Sequence, residues 1–291
     1  MEFRKYHALG NDYVVLAGDA LGEPPDPQVV RRICDRHFGL GADGILLDVS
    51  LSGVGGGGAG GGARAALRIF NPDGSEAEKS GNGLRIFARY LRDRGRAEGT
   101  ERFRLGTPGG EVECSVSGDG RRVAVEMGRA SFDAAAVPVR GERGEVLNRR
   151  LTTGDGREVE YSAVTVGNPH CVVAVDEARE ADARALGPLL ERHPAFPNRT
   201  NVQLVEAVGP HRIRIEIWER GAGYTLASGT SSCAAAAVGC RLGRVRSPVT
   251  VEMPGGEIEV AIREDFSLRM EGAVTAVAEG VLSPECLHPA G

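Results

Sequence analysis

Two short stretches of the chain, Ser80-Gly81-Asn82-Gly83 and Ser228-Gly229-Thr230-Ser231, begin with the same serine–glycine pair and lead into helical patterns. After the first stretch, apolar residues recur at the spacing of one helix face, at Leu84, Phe87, Ala88 and Leu91. After the second, the run Cys233–Cys240 is small or apolar on every side, which is typical of a helix in the interior of a protein. The sequence therefore predicts one buried helix in each half of the chain.

Two more pairs of motifs repeat in the same order around these helices. GNDYVV at 10–15 is echoed by GNPHCVV at 167–173, and PGGEVE at 108–113 is echoed by PGGEIE at 254–259. In chain order, the three pairs are 157, 148 and 146 residues apart. The interval shortens by nine residues where the first half carries the glycine-rich run 55–63, which we interpret as an inserted flexible loop. Repetition in one order favours an internal duplication.

The duplication predicts the architecture. Apolar and polar residues alternate in 123–127 and in 213–217, as in half-buried strands. We expect an α+β fold of two pseudo-symmetric halves, each a curved, mostly antiparallel sheet wrapped around its central helix. The predicted domains are residues 1–126, to which 275–291 return, and residues 127–274.

Composition and charge exclude several classes of protein. The chain has 291 residues, a net charge of −5 and 42 glycines without a Gly-X-Y period, so collagen is excluded. No basic run or long apolar stretch occurs, so neither nucleic acid nor a membrane is an expected partner. The six cysteines form no CxxC pair and the N-terminus lacks the apolar core of a signal peptide, which together predict a cytoplasmic protein with reduced thiols. We expect no metal site, and the sequence leaves a homodimer open.

The two helix starts are the candidate site. A helix N-terminus offers unpaired N–H groups and about half a positive charge, which suits a carboxylate. Two such ends facing each other across a cleft would hold the carboxylate of an amino acid from both sides. The alternative is structural, because serine is a favoured N-cap worth about 1 kcal/mol. Nearby donors favour a ligand site: Asn168, Asn201 and Arg220 suit a carboxylate, and Glu219 could hold an ammonium group.

These residues and the motifs around them resemble the diaminopimelate epimerase family over essentially the whole chain. The matching stretches are 7–12, 35–44, 71–76, 81–83, 167–170, 198–201 and 219–223. The resemblance implies a small amino-acid substrate and conversion of LL- to meso-diaminopimelate without pyridoxal or any other cofactor. It also implies a set of substrate-binding side chains: Asn11, Asn71, Asn168, Asn201, Glu219 and Arg220. Backbone N–H groups that follow the two serines would bind the reacting carboxylate, at Gly81, Asn82, Gly229 and Thr230.

The chain departs from the family at the two residues that carry the chemistry. The family places a cysteine at each helix start, where one thiolate removes the α-proton and the other thiol returns a proton from the opposite face. This chain has Ser80 and Ser228 at those positions, and we take them as the catalytic candidates. A thiol has a pKa near 8.5 that a helix end can lower, whereas a hydroxyl has no comparable route to an anion. Cys233 is expected to lie in the core.

Three hypotheses remain open. The first is an epimerase that uses the serines, or else His7, His170 or an ordered water, as base. The second is a binding protein that keeps the substrate site without the chemistry, either as a natural homologue or because both thiols have been replaced. The third is an isomerase or lyase of another small acid, with Glu76 or Glu78 as base. A serine hydrolase is less favoured, because neither serine lies in a G-x-S-x-G turn.

Overall fold

The computed structural model describes residues 1–18, 20–21, 25–50, 63–78, 80–97 and 102–287. The predicted insertion at 55–63 lies outside these ranges, except for its last residue. The chain divides into two compact units, Met1–Val125 with Gly272–Gly291, and Glu126–Glu271.

The first unit contains a sheet and two helices before the chain leaves it. The elements are β1 (Glu2–Ala8), β2 (Asn11–Ala17), α1 (Pro27–Cys34), β3 (Ile45–Asp48), β4 (Ala63–Phe70), β5 (Glu76–Ala77), α2 (Gly81–Asp93), β6 (Arg102–Thr107), β7 (Gly110–Val116) and β8 (Arg122–Arg129). The chain passes to the second unit within β8.

The second unit begins with an additional strand, β9, and then repeats this order of elements. They are β9 (Arg149–Thr152), β10 (Glu158–Thr165), β11 (Pro169–Ala174), α3 (Glu180–Glu191), β12 (Asn201–Gly209), β13 (Arg212–Glu219), β14 (Gly223–Thr225), α4 (Gly229–Arg241), β15 (Val249–Met253), β16 (Gly256–Ile262) and β17 (Ser267–Ala273). The chain then returns to the first unit, which ends with β18 (Thr275–Val281) and the short α5 (Pro284–Leu287). Within the described ranges, no helix is long and apolar enough to cross a membrane.

The strand pairings of the two units correspond one to one. In the first unit, β1–β2 is antiparallel, β2–β3 parallel, β3–β4 antiparallel, β4–β6 parallel and β6–β7 antiparallel. In the second, β10–β11, β11–β12, β12–β13, β13–β15 and β15–β16 give the same series. A helix makes the first parallel crossover in each unit, α1 in one and α3 in the other. The predicted α+β fold of two related, mostly antiparallel halves is therefore confirmed.

Each unit packs its sheet around the helix that follows the serine–glycine motif. Helix α2 packs on β1, β2 and β7, and its four predicted core residues, Leu84, Phe87, Ala88 and Leu91, are fully buried. Helix α4 packs on β10, β11, β12, β13, β15 and β16. Its stretch Cys233–Ala237 has no exposed surface, so the small side chains let the surrounding strands approach closely. Burial of Cys233 matches its predicted place in the core.

Candidate active site

Ser80 and Ser228 are the N-caps of the two central helices, and their local geometry is nearly the same. Their backbone angles are φ −137°, ψ 120° and φ −144°, ψ 122°, and each helix that they begin has 13 residues. Ser80 Oγ accepts a hydrogen bond from Gly83 N at 3.1 Å, and Ser228 Oγ accepts one from Ser231 N at 3.4 Å. Both serines therefore have the structural role of a helix N-cap. Each serine accepts a hydrogen bond from the N–H group of the third helical residue. The N–H groups of the first two helical residues have no acceptor within the helix.

Tyr13 is the neighbour of Ser80 that sequence reasoning missed. Its hydroxyl oxygen lies 3.3 Å from Ser80 Oγ, and its ring is buried. The ring fits because residue 44 is glycine: a Cβ there would come within 2.6 Å of both Tyr13 Cε1 and the carbonyl oxygen of Phe70. Tyr13 lies in the duplicated motif, in the register of His170, and this correspondence was the available signal.

Two of the predicted asparagines of the first unit bind each other. Asn82 Nδ2 donates to Asn11 Oδ1 at 2.9 Å, and Asn11 Nδ2 donates to Asp43 Oδ2 at 3.0 Å. The fully buried Arg85 donates to Asn82 Oδ1 at 2.8 Å. The amide oxygens of Asn11 and Asn82 therefore both have a donor, and the two side chains hold each other in place. Arg85 lies three residues after Asn82 on α2, a spacing that places the two side chains side by side.

A cluster of ion pairs holds the strand that carries Asn11. Asp12 pairs with Lys5 Nζ and with Arg36 at 2.8 Å each, and Arg36 also pairs with Asp43 at 2.7 Å. Desolvation raises the pKa of Asp12, but hydrogen bonds from Arg36 and Lys5 outweigh it and hold this pKa below its ordinary value. Asp12 is therefore ionised at neutral pH and anchors the start of β2.

Asn71 and Glu76 make local contacts. Asn71 Nδ2 donates to Ser75 Oγ at 3.0 Å, and the backbone N–H of Asn71 donates to the carbonyl oxygen of Ser75 at 2.8 Å. Glu76 forms a bidentate pair with Arg68, at 2.8 and 2.9 Å. Asn71 thus bonds to Ser75 within its own turn, and the carboxylate of Glu76 is paired with a cation.

In the second unit, Asn201 ties two predicted site segments together. Its Nδ2 donates to the carbonyl oxygen of Pro169 at 2.9 Å, and its Oδ1 accepts from the backbone N–H of Arg220 at 2.9 Å. Arg220 Nη1 donates to the carbonyl oxygen of Asn198 at 3.1 Å. The structure thus brings together the segments that carry Asn168, Asn201 and Arg220.

Glu191, which sequence reasoning missed, supports the loop after β13. It is buried, and its carboxylate accepts from Trp218 Nε1 at 2.8 Å and from Gly221 N at 3.1 Å. The two residues that donate these bonds lie on either side of the half-buried Glu219 and the exposed Arg220 in the sequence. No sequence signal marks Glu191, because its role depends on how α3 packs against β13.

The surroundings of Ser228 contain hydroxyl groups. Its Oγ lies 3.4 Å from Thr230 Oγ1, and Ser228 itself is buried.

His170 is fully buried, and its Nε2 lies 2.9 Å from Asn168 Oδ1. Desolvation lowers the pKa of His170 to about 3, so the imidazole is neutral at pH 7.

No histidine is placed as a partner for either serine in the part of the chain that the structure describes. His170 Nε2 contacts Asn168, and His7 Nδ1 accepts from the backbone N–H of Gly10 at 3.3 Å. The same part of the chain contains no group of three or more His, Cys, Asp or Glu side chains that could hold a metal ion.

The fold is shared with solved structures of racemases and epimerases. A probable proline racemase from Agrobacterium radiobacter superposes with a TM-score of 0.72 at 17% identity, covering 98% of this chain and 95% of that one. A hydroxyproline epimerase from Agrobacterium vitis gives a TM-score of 0.70 at 17% identity, covering 96% of this chain and 91% of that one. The fold is therefore that of these racemase and epimerase structures. In this chain, the central helix of each unit is capped by a serine.

Sequence comparison narrows this class to one family. The family model described as diaminopimelate epimerase matches residues 3–133 and 162–277. A protein named diaminopimelate epimerase 2 from a Nostoc species is 50% identical over 98% of this chain and 96% of its own length. The diaminopimelate epimerase of Desulforudis audaxviator is 41% identical over 96% of this chain and 98% of its own length. The chain belongs to the diaminopimelate epimerase family.

Proposed function

We propose that the protein interconverts LL- and meso-2,6-diaminopimelate by removing and returning the proton on one α-carbon, in the cytoplasm and without a cofactor. The observation that carries the proposal is the pair of serine-capped helix starts, Ser80 and Ser228, which have the same geometry in a chain of this family. None of the six cysteines, all of which lie in the described ranges, is in a disulfide, and this supports a reducing compartment.

The chemistry needs a stabilised carbanion. When the Cα–H bond breaks, the proton leaves to a base and the electron pair moves into the adjacent carboxylate. N–H groups at a helix start favour this added negative charge, because they carry the positive end of the helix dipole. We assign this role to the backbone N–H groups of Gly81, Asn82, Gly229 and Thr230. Return of a proton from the opposite face then inverts the centre.

The substrate groups that do not react need fixed donors and acceptors. We assign carboxylate binding to the amides of Asn11, Asn71, Asn168 and Asn201 and to the guanidinium of Arg220, because all of them can donate. Glu219 is the group in this set that carries a negative charge, and we assign it to the substrate ammonium.

The rate is expected to be limited by the two serines. A hydroxyl is a far weaker base than a thiolate at neutral pH, because proton transfer is fastest when the pKa of the base lies near the working pH. Both hydroxyls also serve as helix caps. These two facts support a second function, in which the protein binds diaminopimelate and does not epimerise it.

Hydrogen exchange at the α-carbon separates the two functions. The protein is incubated with LL-diaminopimelate in D₂O, and deuterium incorporation is followed by NMR while binding is measured by calorimetry. Exchange that is lost in Ser80→Ala or Ser228→Ala supports the epimerase. Binding without exchange at high protein concentration supports the binding protein, and absence of binding rules out both.

A further inference from the structure

Three polar side chains lie fully buried beneath the start of α4: His170, Gln203 and Ser231. Strands β11 and β12 run parallel, with Val172 opposite Gln203. His170 comes two residues before Val172 and points to the same face of the sheet, so it is the diagonal neighbour of Gln203. Helix α4 packs on both strands and places Ser231 Oγ 3.0 Å from Gln203 Nε2.

Two atoms of this cluster have no hydrogen-bond partner within the described ranges, His170 Nδ1 and Gln203 Oε1. A buried polar atom left in this state destabilises the folded protein, because it has lost its hydrogen bonds to water without replacing them. The other ring nitrogen, His170 Nε2, lies 2.9 Å from Asn168 Oδ1. Because an amide oxygen can only accept, Nε2 carries the hydrogen, and the neutral ring keeps its lone pair on Nδ1. Nδ1 is therefore an acceptor that lacks a donor.

Gln203 can supply this donor through a half-turn of its amide group. The strand register places this side chain next to His170, on the same face of the sheet. After the half-turn, Oε1 faces Ser231 Oγ, whose hydroxyl can donate, and Nε2 becomes the donor on the other side of the amide, where it can serve His170 Nδ1. Gln203 Oε1 then has a donor, a donor is offered to His170 Nδ1, and the contact between Gln203 and Ser231 is kept.

We propose that Ser231, Gln203 and His170 form a one-way hydrogen-bond relay that positions Asn168. Ser231 Oγ donates to Gln203 Oε1, Gln203 Nε2 donates to His170 Nδ1, and His170 Nε2 donates to Asn168 Oδ1. This direction holds the oxygen of Asn168 against the imidazole and leaves the Nδ2 hydrogens to donate to a ligand carboxylate. His170 is thus a positioning residue, and its effect on a ligand rests on the proposed function.

The relay is a feature of the second half of the duplication. Val14 pairs with Ile45 in the first unit as Cys171 pairs with Val202 in the second. In this register the first unit carries Tyr13 where the second has His170. It also carries the apolar Leu46 where the second has Gln203.

The tautomer of His170 tests the relay without any ligand. In ¹⁵N-labelled protein, long-range ¹H–¹⁵N correlation spectra distinguish the protonated ring nitrogen from the bare one. We expect a hydrogen on Nε2, a bare Nδ1, and no titration across the pH range in which exposed histidines titrate. A hydrogen on Nδ1 would mean that the chain of bonds runs in the opposite direction, and this result would overturn the proposal.

Ligand affinity tests the action of His170 through Asn168. His170→Phe removes both ring nitrogens and keeps a planar ring, and we expect it to weaken the binding of LL-diaminopimelate about tenfold, the equivalent of one hydrogen bond. His170→Gln keeps a donor for Asn168 Oδ1 and should retain most of the affinity.

A double variant separates positioning from a general structural effect. If His170 acts through Asn168, His170→Phe combined with Asn168→Ala binds no more weakly than Asn168→Ala alone. Additive losses would contradict the proposal. Failure of the unmodified protein to bind diaminopimelate would count against the proposed substrate, while the tautomer still decides whether the relay exists.

Discussion

The hydroxyl oxygen of Tyr13 lies 3.3 Å from Ser80 Oγ, so a phenol lies beside the serine at the start of α2. A phenol has an ordinary pKa near 10, closer to neutral than that of an alcohol. The close fit of the Tyr13 ring over Gly44 restricts its movement. This pair gives the first unit a hydroxyl group that gives up its proton more readily than the serine hydroxyl does.

Replacement of Tyr13 by phenylalanine tests this pair. Tyr13→Phe keeps the ring and removes the hydroxyl, and we expect α-hydrogen exchange into diaminopimelate to fall about tenfold, because one hydrogen bond at the base is lost. Tyr6→Phe is the matched control, since the Tyr6 hydroxyl donates to Asp93 at the opposite end of α2. Equal exchange rates in the two variants would show that Tyr13 does not act on Ser80.

Introduction of a thiol at both helix starts should raise the rate. In Ser80→Cys/Ser228→Cys, each helix start carries a group whose pKa lies near the working pH, so we expect turnover of LL-diaminopimelate to rise by orders of magnitude. Ser232→Cys is the control, because its buried hydroxyl donates to the carbonyl oxygen of Ser228 one turn into α4. A double variant that folds and stays inactive would indicate a diverged substrate and favour the third hypothesis, a different small acid.

The contact between α3 and Trp218 should be sensitive to one methyl group. A Cβ on Gly187 would come within 2.5 Å of Trp218 Cβ and Cγ, so Gly187→Ala should cost about 1–3 kcal/mol of unfolding free energy by overpacking. Ligand affinity should fall as well, because Trp218 precedes the loop of Glu219 and Arg220. Gly154→Ala is the control, since nothing in the described part of the chain lies within 4 Å of the place that its added methyl group would take. Chemical denaturation measures both variants, and equal stabilities would contradict the packing argument.

The buried imidazole predicts a dependence of stability on pH. Desolvation lowers the pKa of His170 to about 3 from an ordinary 6.5, so the unfolded chain binds a proton more readily than the folded protein does. The stabilising effect is complete above about pH 6.5 and is lost as the pH falls towards 3. Denaturation at several pH values should show a shallower decline over this window in His170→Phe. The same slope in both proteins would mean that the ring is protonated when folded.

Local patterns and the internal repeat determined the fold class. The apolar spacing after Ser80 and the uniformly small run after Ser228 predicted the two buried helices, because a helix face that repeats every three to four residues has to be covered by other elements. Motifs repeated in one order predicted two related halves, and the strand pairings of the two units correspond as expected. The two halves can be recognised from identical residues at matched positions in the sequence, because this comparison does not depend on which residues are in contact in the folded protein.

The tertiary structure alone decided how the site residues are held. Asn82 bonds to Asn11, Asn201 joins Pro169 to Arg220, and Glu191 supports the loop after β13 through contacts between segments far apart in sequence. Hydrogen-bond direction depends on which donor meets which acceptor, and folding brings those atoms together. The sequence therefore specified which side chains are available at the two helix starts, and packing decided which of their polar atoms are already engaged.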